Sequence, residues 1–285
     1  MMTDSKTDFN QTSRGQHGSV ITPHIIYDQG NGRKDLRDVF SHLFDGNVIF
    51  VQGQVEENMA TSIVAQILSA TSTIKSSSVL KDNKTADELA KMKEEDRDAY
   101  YAGRTITLMI DSPGGVCTEG NRIVDAIIRA QDAGITVQTV VNGMAASMGS
   151  VILAAGTKGH RKAWPGSKIM LHQISGGLQG NYNEMAISLQ ESHHINEYLK
   201  SFFRIKTNMN EEQLAECFTA DTWLCGEEAL DKGLIDKVDY SSDPDISAWQ
   251  KHEAMAHWTN RVEAKKAKNQ SNHYRQDAKP LPKPE

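Results

Sequence analysis

The segment GMAASMGS, residues 143–150, sets a serine among small neighbours where an apolar strand-like run gives way to an apolar helix-like one. A serine at such a junction projects its hydroxyl from a tight turn, and Ala145, Ala146 and Gly149 let another backbone come close. The first N–H groups of a helix have no partners within it and suit a negative charge developing on oxygen. The chemistry open to this arrangement is attack by Ser147 on a carbonyl carbon. The same pattern also describes a helix start capped by serine, and the segment alone does not separate the two. DSPGG, residues 111–115, closes another strand-like run. There Pro113 fixes φ and two glycines widen the backbone's choices, so the loop either aims an N–H at a carbonyl oxygen or simply turns a strand into a helix.

A serine hydroxyl is a poor nucleophile until a base takes its proton. Ten histidines are available. His172 is the best placed, because it ends the strand-like KIML and precedes the Gly-rich QISGGLQG. An isolated histidine at a strand end is nonetheless more often structural. His193 and His194 are neighbours on a predicted helix, where successive side chains diverge by about 100°. They read as surface residues, and His160, in the basic run GTKGHRK, reads as solvated. A base also needs an acid to hold its tautomer. Asp221 precedes Trp223 and Leu224, a context that could bury it partly, but by its own context it is one acid among many and helix capping is the better reading.

The elements that must hold these residues follow from periodicity. Helical spacing of Leu36, Val39, Phe40 and Leu43 predicts a helix over 35–44, and NVIFVQG reads as a buried strand. A helix follows with Met59, Ile63, Ile67 and Leu68 on one face. Residues 71–103 are rich in charge and weak in apolar period, which predicts a surface insertion with one solvated helix. Then come the strand TITLMID, an amphipathic helix burying Ile123, Ala126, Ile127 and Ala130, the strand ITVQTVVNG and the strand SKIMLHQ. A long helix from Tyr182 places Ile195, Leu199, Phe202 and Phe203 on one stripe. Strands alternating with helices argue for an α/β fold with largely parallel pairing.

With 285 residues, 38% of them hydrophobic, the chain can bury a substantial core. A net charge of −6 argues against general nucleic-acid binding. Three widely spaced cysteines fit a reducing compartment, and neither a signal-peptide pattern nor a membrane-length apolar run occurs, so the expectation is a soluble, cytoplasmic protein. Residues 1–20 read as a disordered leader or propeptide, 21–240 as the main domain, and 241–285 as a basic, partly disordered extension ending in KPLPKPE.

Taken in order, ITPHIIYDQG, DSPGG, GMAASMGS, MLHQISGGLQG and DTWLCGEEALDKGLID resemble the Clp protease proteolytic subunit over most of residues 21–238, the insertion apart. The resemblance implies a stack of ββα units like that of crotonase, with a protruding handle helix at 183–207. It places the nucleophile on Ser147, the general base on His172 and the orienting acid on Asp221. The oxyanion-hole N–H groups fall on Gly115 and Met148, and the strand that pairs with substrate on the segment of Ile174, Gly176 and Gly177. It implies cleavage of unfolded polypeptides without a cofactor, inside seven-membered rings stacked in pairs. An AAA+ unfoldase of the ClpX or ClpA type would feed them and use the ATP, since this chain has no GxxxxGK[ST] motif. No membrane or specific nucleic-acid partner is expected.

The chain departs from that pattern at four places, one of them a tail beyond Val238 that is longer than usual. Ile174 stands where the family usually has proline, Ala220 and Thr222 stand where arginine usually flanks the acid, and 71–103 is longer than usual. The missing arginine bears on coupling between rings, and the departures suit a divergent or phage-encoded member. A non-catalytic ring subunit is the alternative from a different class, set against the presence of all three candidate triad residues. A crotonase-type acyl-CoA enzyme would need neither AASMG nor MLHQ, and a serine–lysine signal peptidase would need a lysine base and an anchor.

Overall fold

The computed structural model describes residues 24–28, 34–81, 84–254 and 256; the leader at 1–20 and the extension beyond 256 lie outside them. The chain divides into two compact units, one ending at Gly46 and one beginning at Asn47. In the first, β1 (His24–Asp28) pairs antiparallel with β2 (Lys34–Asp38), and α1 (Val39–Asp45) follows. The helix expected over 35–44 therefore starts late. Asp38 is an extended N-cap whose carboxylate accepts the Ser41 N–H at 2.9 Å, and that cap sets the boundary between strand and helix.

The second unit is the expected mixed α/β structure. Its order is β3 (Val48–Val55), α2 (Glu57–Ser76), α3 (Ala86–Lys91), α4 (Glu94–Ala102), β4 (Thr105–Gly115), α5 (Cys117–Asp132), β5 (Thr136–Ala146) and α6 (Met148–Ala155). Then come β6 (Arg161–Ala163), β7 (Lys168–Leu171), α7 (Tyr182–Lys206), α8 (Glu211–Cys217), β8 (Thr222–Leu224), α9 (Gly226–Asp231) and β9 (Lys237–Val238). Residues 244–254 are also helical. Strands β3, β4 and β5 run parallel, and at β5 the sheet forks. Thr139–Val141 pair with β6, which leads to β9, while Met144–Ala146 pair with β7, which leads to β8. Every pairing in this sheet is parallel except β7–β8.

Burial explains the arrangement. Ile106, Leu108 and Ile110 alternate along β4 with no exposed surface, and α5 covers the sheet with Ile123, Ala126, Ile127 and Ala130, the stripe read from its spacing. On α2 the buried stripe is Ala60, Ile63, Ile67, Ala70 and Ile74, whereas Leu68, expected inside, is 50% exposed. The stripe at 60, 63, 67, 70 and 74 leaves Leu68 about 100° round the helix. It also carries α2 into the stretch expected to be an insertion, where the described residues beyond it include a short 3-10 turn and two helices in place of the one expected. That stretch is tied down at its end by the buried Arg104. Its guanidinium stacks 3.7 Å from the centre of the Tyr100 ring and donates to Val79 O at 2.6 Å.

His160 is half-buried rather than fully solvated. Tyr101, the last residue but one of α4, meets its ring edge-on at 4.5 Å. Burial, and then the charge of Lys162, holds the imidazolium below the usual histidine range, with Asp236 acting the other way. On α7, Leu199 and Phe203 are buried as their spacing predicts, while Tyr182, Ile187 and Leu189 stand exposed on its first half. Among the described residues no helix is long and apolar enough to cross a membrane.

Beneath α7 lies a buried ion pair. Arg161 is 1% exposed and reaches Asp236 through Nε at 2.9 Å and Nη2 at 2.7 Å, while Nη1 donates to Lys206 O at 2.6 Å at the end of α7. Burial alone would raise the Asp236 carboxyl. Hydrogen bonds from the Arg161 side chain and backbone and from the Gly159 N–H outweigh it and hold the group below its ordinary value. A buried arginine left without its carboxylate is costly, so Asp236→Ala should lower the unfolding free energy by about 3–5 kcal/mol, read from urea denaturation. Because the folded-state pKa is depressed, this contribution is present above the ordinary aspartate value and is lost as pH falls through the folded one. The stability gap between wild type and Asp236→Ala should therefore close below about pH 4.

Candidate active site

The fork in the sheet brings the chemically capable residues to neighbouring strand ends. β4 pairs with β5 as Ile110↔Val141 and then as Ser112↔Ala145, so residues 142–144 bulge opposite Asp111 alone. The Asp111 carboxylate accepts the Met144 N–H at 3.0 Å and closes the bulge. A Cβ on Gly143 would lie 2.5 Å from Asp111 Oδ1, so a side chain there would push the carboxylate out of the bulge. The bulge aims the last residues of β5 along a new neighbour, β7, and Ser147 follows with its N–H donating to Met170 O at 2.9 Å.

Ser147 occupies the N-cap position of α6 without acting as a cap. Its backbone has φ 54° and ψ −123°, not the extended geometry of a capping serine, and its side chain makes no capping hydrogen bond. Instead Ser147 Oγ lies 2.8 Å from His172 Nε2. All eight residues of α6 are buried, so the helix cannot shift to relieve the turn.

Register explains the other two residues. β7 and β8 pair antiparallel as Ile169↔Leu224, Met170↔Trp223 and Leu171↔Thr222. One step further along the same ladder sets His172 against Asp221, and the distance from His172 Nδ1 to Asp221 Oδ1 is 3.4 Å. The imidazole thus lies between a hydroxyl on one nitrogen and a carboxylate facing the other. The His172 side chain is 18% exposed and that of Asp221 is 67% exposed. The helix-capping reading of Asp221 fails, because a strand and not a helix follows it. Partial burial by Trp223 and Leu224 fails as well. Alternation in β8 turns Leu224 inward and leaves Trp223 and the strand's first end open to solvent.

The loop after β4 meets the serine turn. Gly114 has φ +91°, and a Cβ there would lie 2.6 Å from Ala146 O, 2.6 Å from Ser147 Cβ and 2.9 Å from the Met148 N. Gly115 is pressed against Val55 on the neighbouring strand, and Met148 opens α6 beside Gly114. The DSPGG loop is therefore packed directly against the turn that carries Ser147. Ser112 holds this loop, donating from Oγ to Gly53 O at 2.6 Å and accepting the Gly114 N–H at 3.1 Å. Sequence reasoning passed over Ser112 and Asp111, although both sit within DSPGG.

Ile174, Gly176 and Gly177 lie on the irregular segment that continues β7 past His172. A side chain built on either glycine would meet nothing within 4 Å, so the segment leaves open space beside it. An open cleft of about 440 Å³ runs between this segment and α7. His193 belongs to that cleft. None of Cys117, Cys217 and Cys225 forms a disulfide, and among the described residues no cluster of three or more His, Cys, Asp and Glu is placed to hold a metal ion.

A hydroxyl beside an imidazole, with a carboxylate facing the other ring nitrogen, is an arrangement that can carry out acyl transfer. In comparison with known families, the model described as Clp protease matches residues 82–241, which contain every residue of this arrangement except Gly53 and Val55, the two β3 partners of the DSPGG loop. The packing of the two turns makes a direct prediction. Gly114→Ala must force a side chain into positive φ and against Ser147, costing at least about 1–2 kcal/mol of stability. It should also part the hydroxyl from the imidazole, visible as a shift of the His172 ring signals by NMR; unchanged signals would mean that the turns are not in contact.

Proposed function

The chain belongs to the Clp protease family, and from that membership we propose that it is a serine endopeptidase acting on unfolded polypeptides. One observation carries the reading: the 2.8 Å contact between Ser147 Oγ and His172 Nε2, with Asp221 facing the other ring nitrogen. His172 takes the hydroxyl proton as Ser147 Oγ attacks a peptide carbonyl. Asp221 holds the imidazole with its proton on Nδ1 and offsets the imidazolium charge. At 3.4 Å that contact is loose, as such contacts commonly are before substrate arrives. The N–H groups of Gly115 and Met148 receive the oxyanion. His172 then protonates the leaving amine, and water, activated by the same base, hydrolyses the acyl-enzyme. No step requires a cofactor.

The segment of Ile174, Gly176 and Gly177 takes an extended peptide by strand addition, and the open space at its glycines admits varied side chains. The family resemblance extends the proposal to assembly. Seven copies form a ring, two rings stack through the exposed first half of α7, and an AAA+ unfoldase of the ClpX or ClpA type delivers unfolded chain. The reading places the enzyme in the cytoplasm.

A fluorophosphonate probe should label the wild-type protein, and Ser147→Ala should abolish labelling and lower peptide hydrolysis by about four orders of magnitude or more. Labelling that survives Ser147→Ala, or wild-type protein that is never labelled, would overturn the assignment. Native mass spectrometry should find seven or fourteen copies, and a stable monomer as the sole species would overturn the ring.

A further inference from the structure

The ladder between β7 and β8 ends at Leu171↔Thr222, so nothing in the sheet orders the chain beyond His172. Yet that chain has to present a straight edge to a substrate, and it contains Gly176 and Gly177, which add no stiffness of their own. One hydrogen bond supplies the missing constraint. The Ile174 N–H donates to Asn196 Oδ1 at 3.2 Å. Among the described residues it is the one hydrogen bond to the backbone of residues 173–179. Asn196 itself is well fixed. It sits midway along α7, between a capping box of Asn181 and Glu184 at one end and the buried Leu199 and Phe203 towards the other. Both Ile174 and Asn196 line the cleft of about 440 Å³ that separates the segment from the helix.

We propose that Asn196 is a positioning residue: it acts through the Ile174 amide to hold the substrate-pairing segment against α7. The inference rests on the peptidase reading of the same site. Its chemistry depends on residue 174 having an N–H, which proline would lack while fixing φ by its ring. Isoleucine leaves φ free and provides the donor, so the order that a ring would build into the segment is supplied from the helix. The alignment of bound peptide thereby depends on where α7 lies.

Three measurements on the full-length protein test this. Amide exchange reads the hydrogen bond without reference to catalysis: Asn196→Ala should speed exchange at Ile174 about tenfold, and unchanged exchange overturns the clamp. Steady-state hydrolysis of an extended peptide reads the role. Asn196→Ala should raise KM about 3- to 10-fold, while fluorophosphonate labelling of Ser147, which needs no paired strand, stays within about twofold of wild type. Asn196→Asp keeps the acceptor and should keep the wild-type KM; a loss of labelling equal to the loss of peptide affinity would instead mark a general structural defect and sink the proposal. In an Ile174→Pro background no N–H remains, so adding Asn196→Ala should change KM no further, whereas an equal penalty in both backgrounds overturns the coupling. Wild-type protein that cleaves no peptide refutes the peptidase reading and the positioning role with it, and the exchange measurement still decides whether the hydrogen bond orders the segment.

Discussion

The backbone of Ser147 is held at φ 54°, a conformation that a serine adopts only under restraint. Residues kept in such regions cost about 1–3 kcal/mol and persist only where their surroundings over-determine them. Here the surroundings are specific. The Ser147 N–H is taken by Met170 O, α6 is buried along its whole length, and Gly114 fills the space where the turn would relax. The remaining features of the site either create that restraint or exploit it. Ser112 and Asp111 fix the loop and the bulge on one side, and β7 fixes the other.

The fork of β5 is the architectural counterpart of this strain. Had β5 kept a single neighbour along its length, Ser147 would have continued into an ordinary strand end. Because its last three paired residues change from β6 to β7, the serine emerges where the two branches of the sheet part. Ligand sites in parallel sheets favour such points, where connections diverge and leave strand ends uncovered. His172 then follows the end of β7, Gly114 and Gly115 end β4, Met148 opens α6, and Asp221 stands just before the antiparallel β8. The result is a site assembled from short elements, each placed by pairing, with no long loop needed to deliver a side chain.

Much of this is legible in the order of the residues alone. The motifs around Ser147 and His172 lie at strand ends because the apolar runs before them are strands, and the stripe of α5 falls where its spacing puts it. What escapes such a reading depends on residues far apart in the chain. Asp221 has no local mark, because its position follows from the ladder between β7 and β8, and a short strand such as TWL has no periodicity to show. His160 looks solvated because its packing partner, Tyr101, belongs to the segment that composition marks as an insertion. Asn196 carries no signal at all, since a polar residue on an amphipathic helix is ordinary until the helix is docked. Leu68 and the start of α1 are misplaced for a smaller reason: several apolar spacings fit, and burial or a single cap chooses among them.

The antiparallel β8 also bears on how the chain comes into being. A ribosome delivers the proposed nucleophile first, the proposed base after it, and Asp221 last of the three, just before a strand that must fold back along one already made. A nascent chain that stops short of β8 has a serine and an imidazole but nothing to fix the imidazole's tautomer. For a chain proposed to cleave unfolded polypeptides, and which is itself one at that moment, late arrival of Asp221 would set the period of synthesis apart from the period of activity.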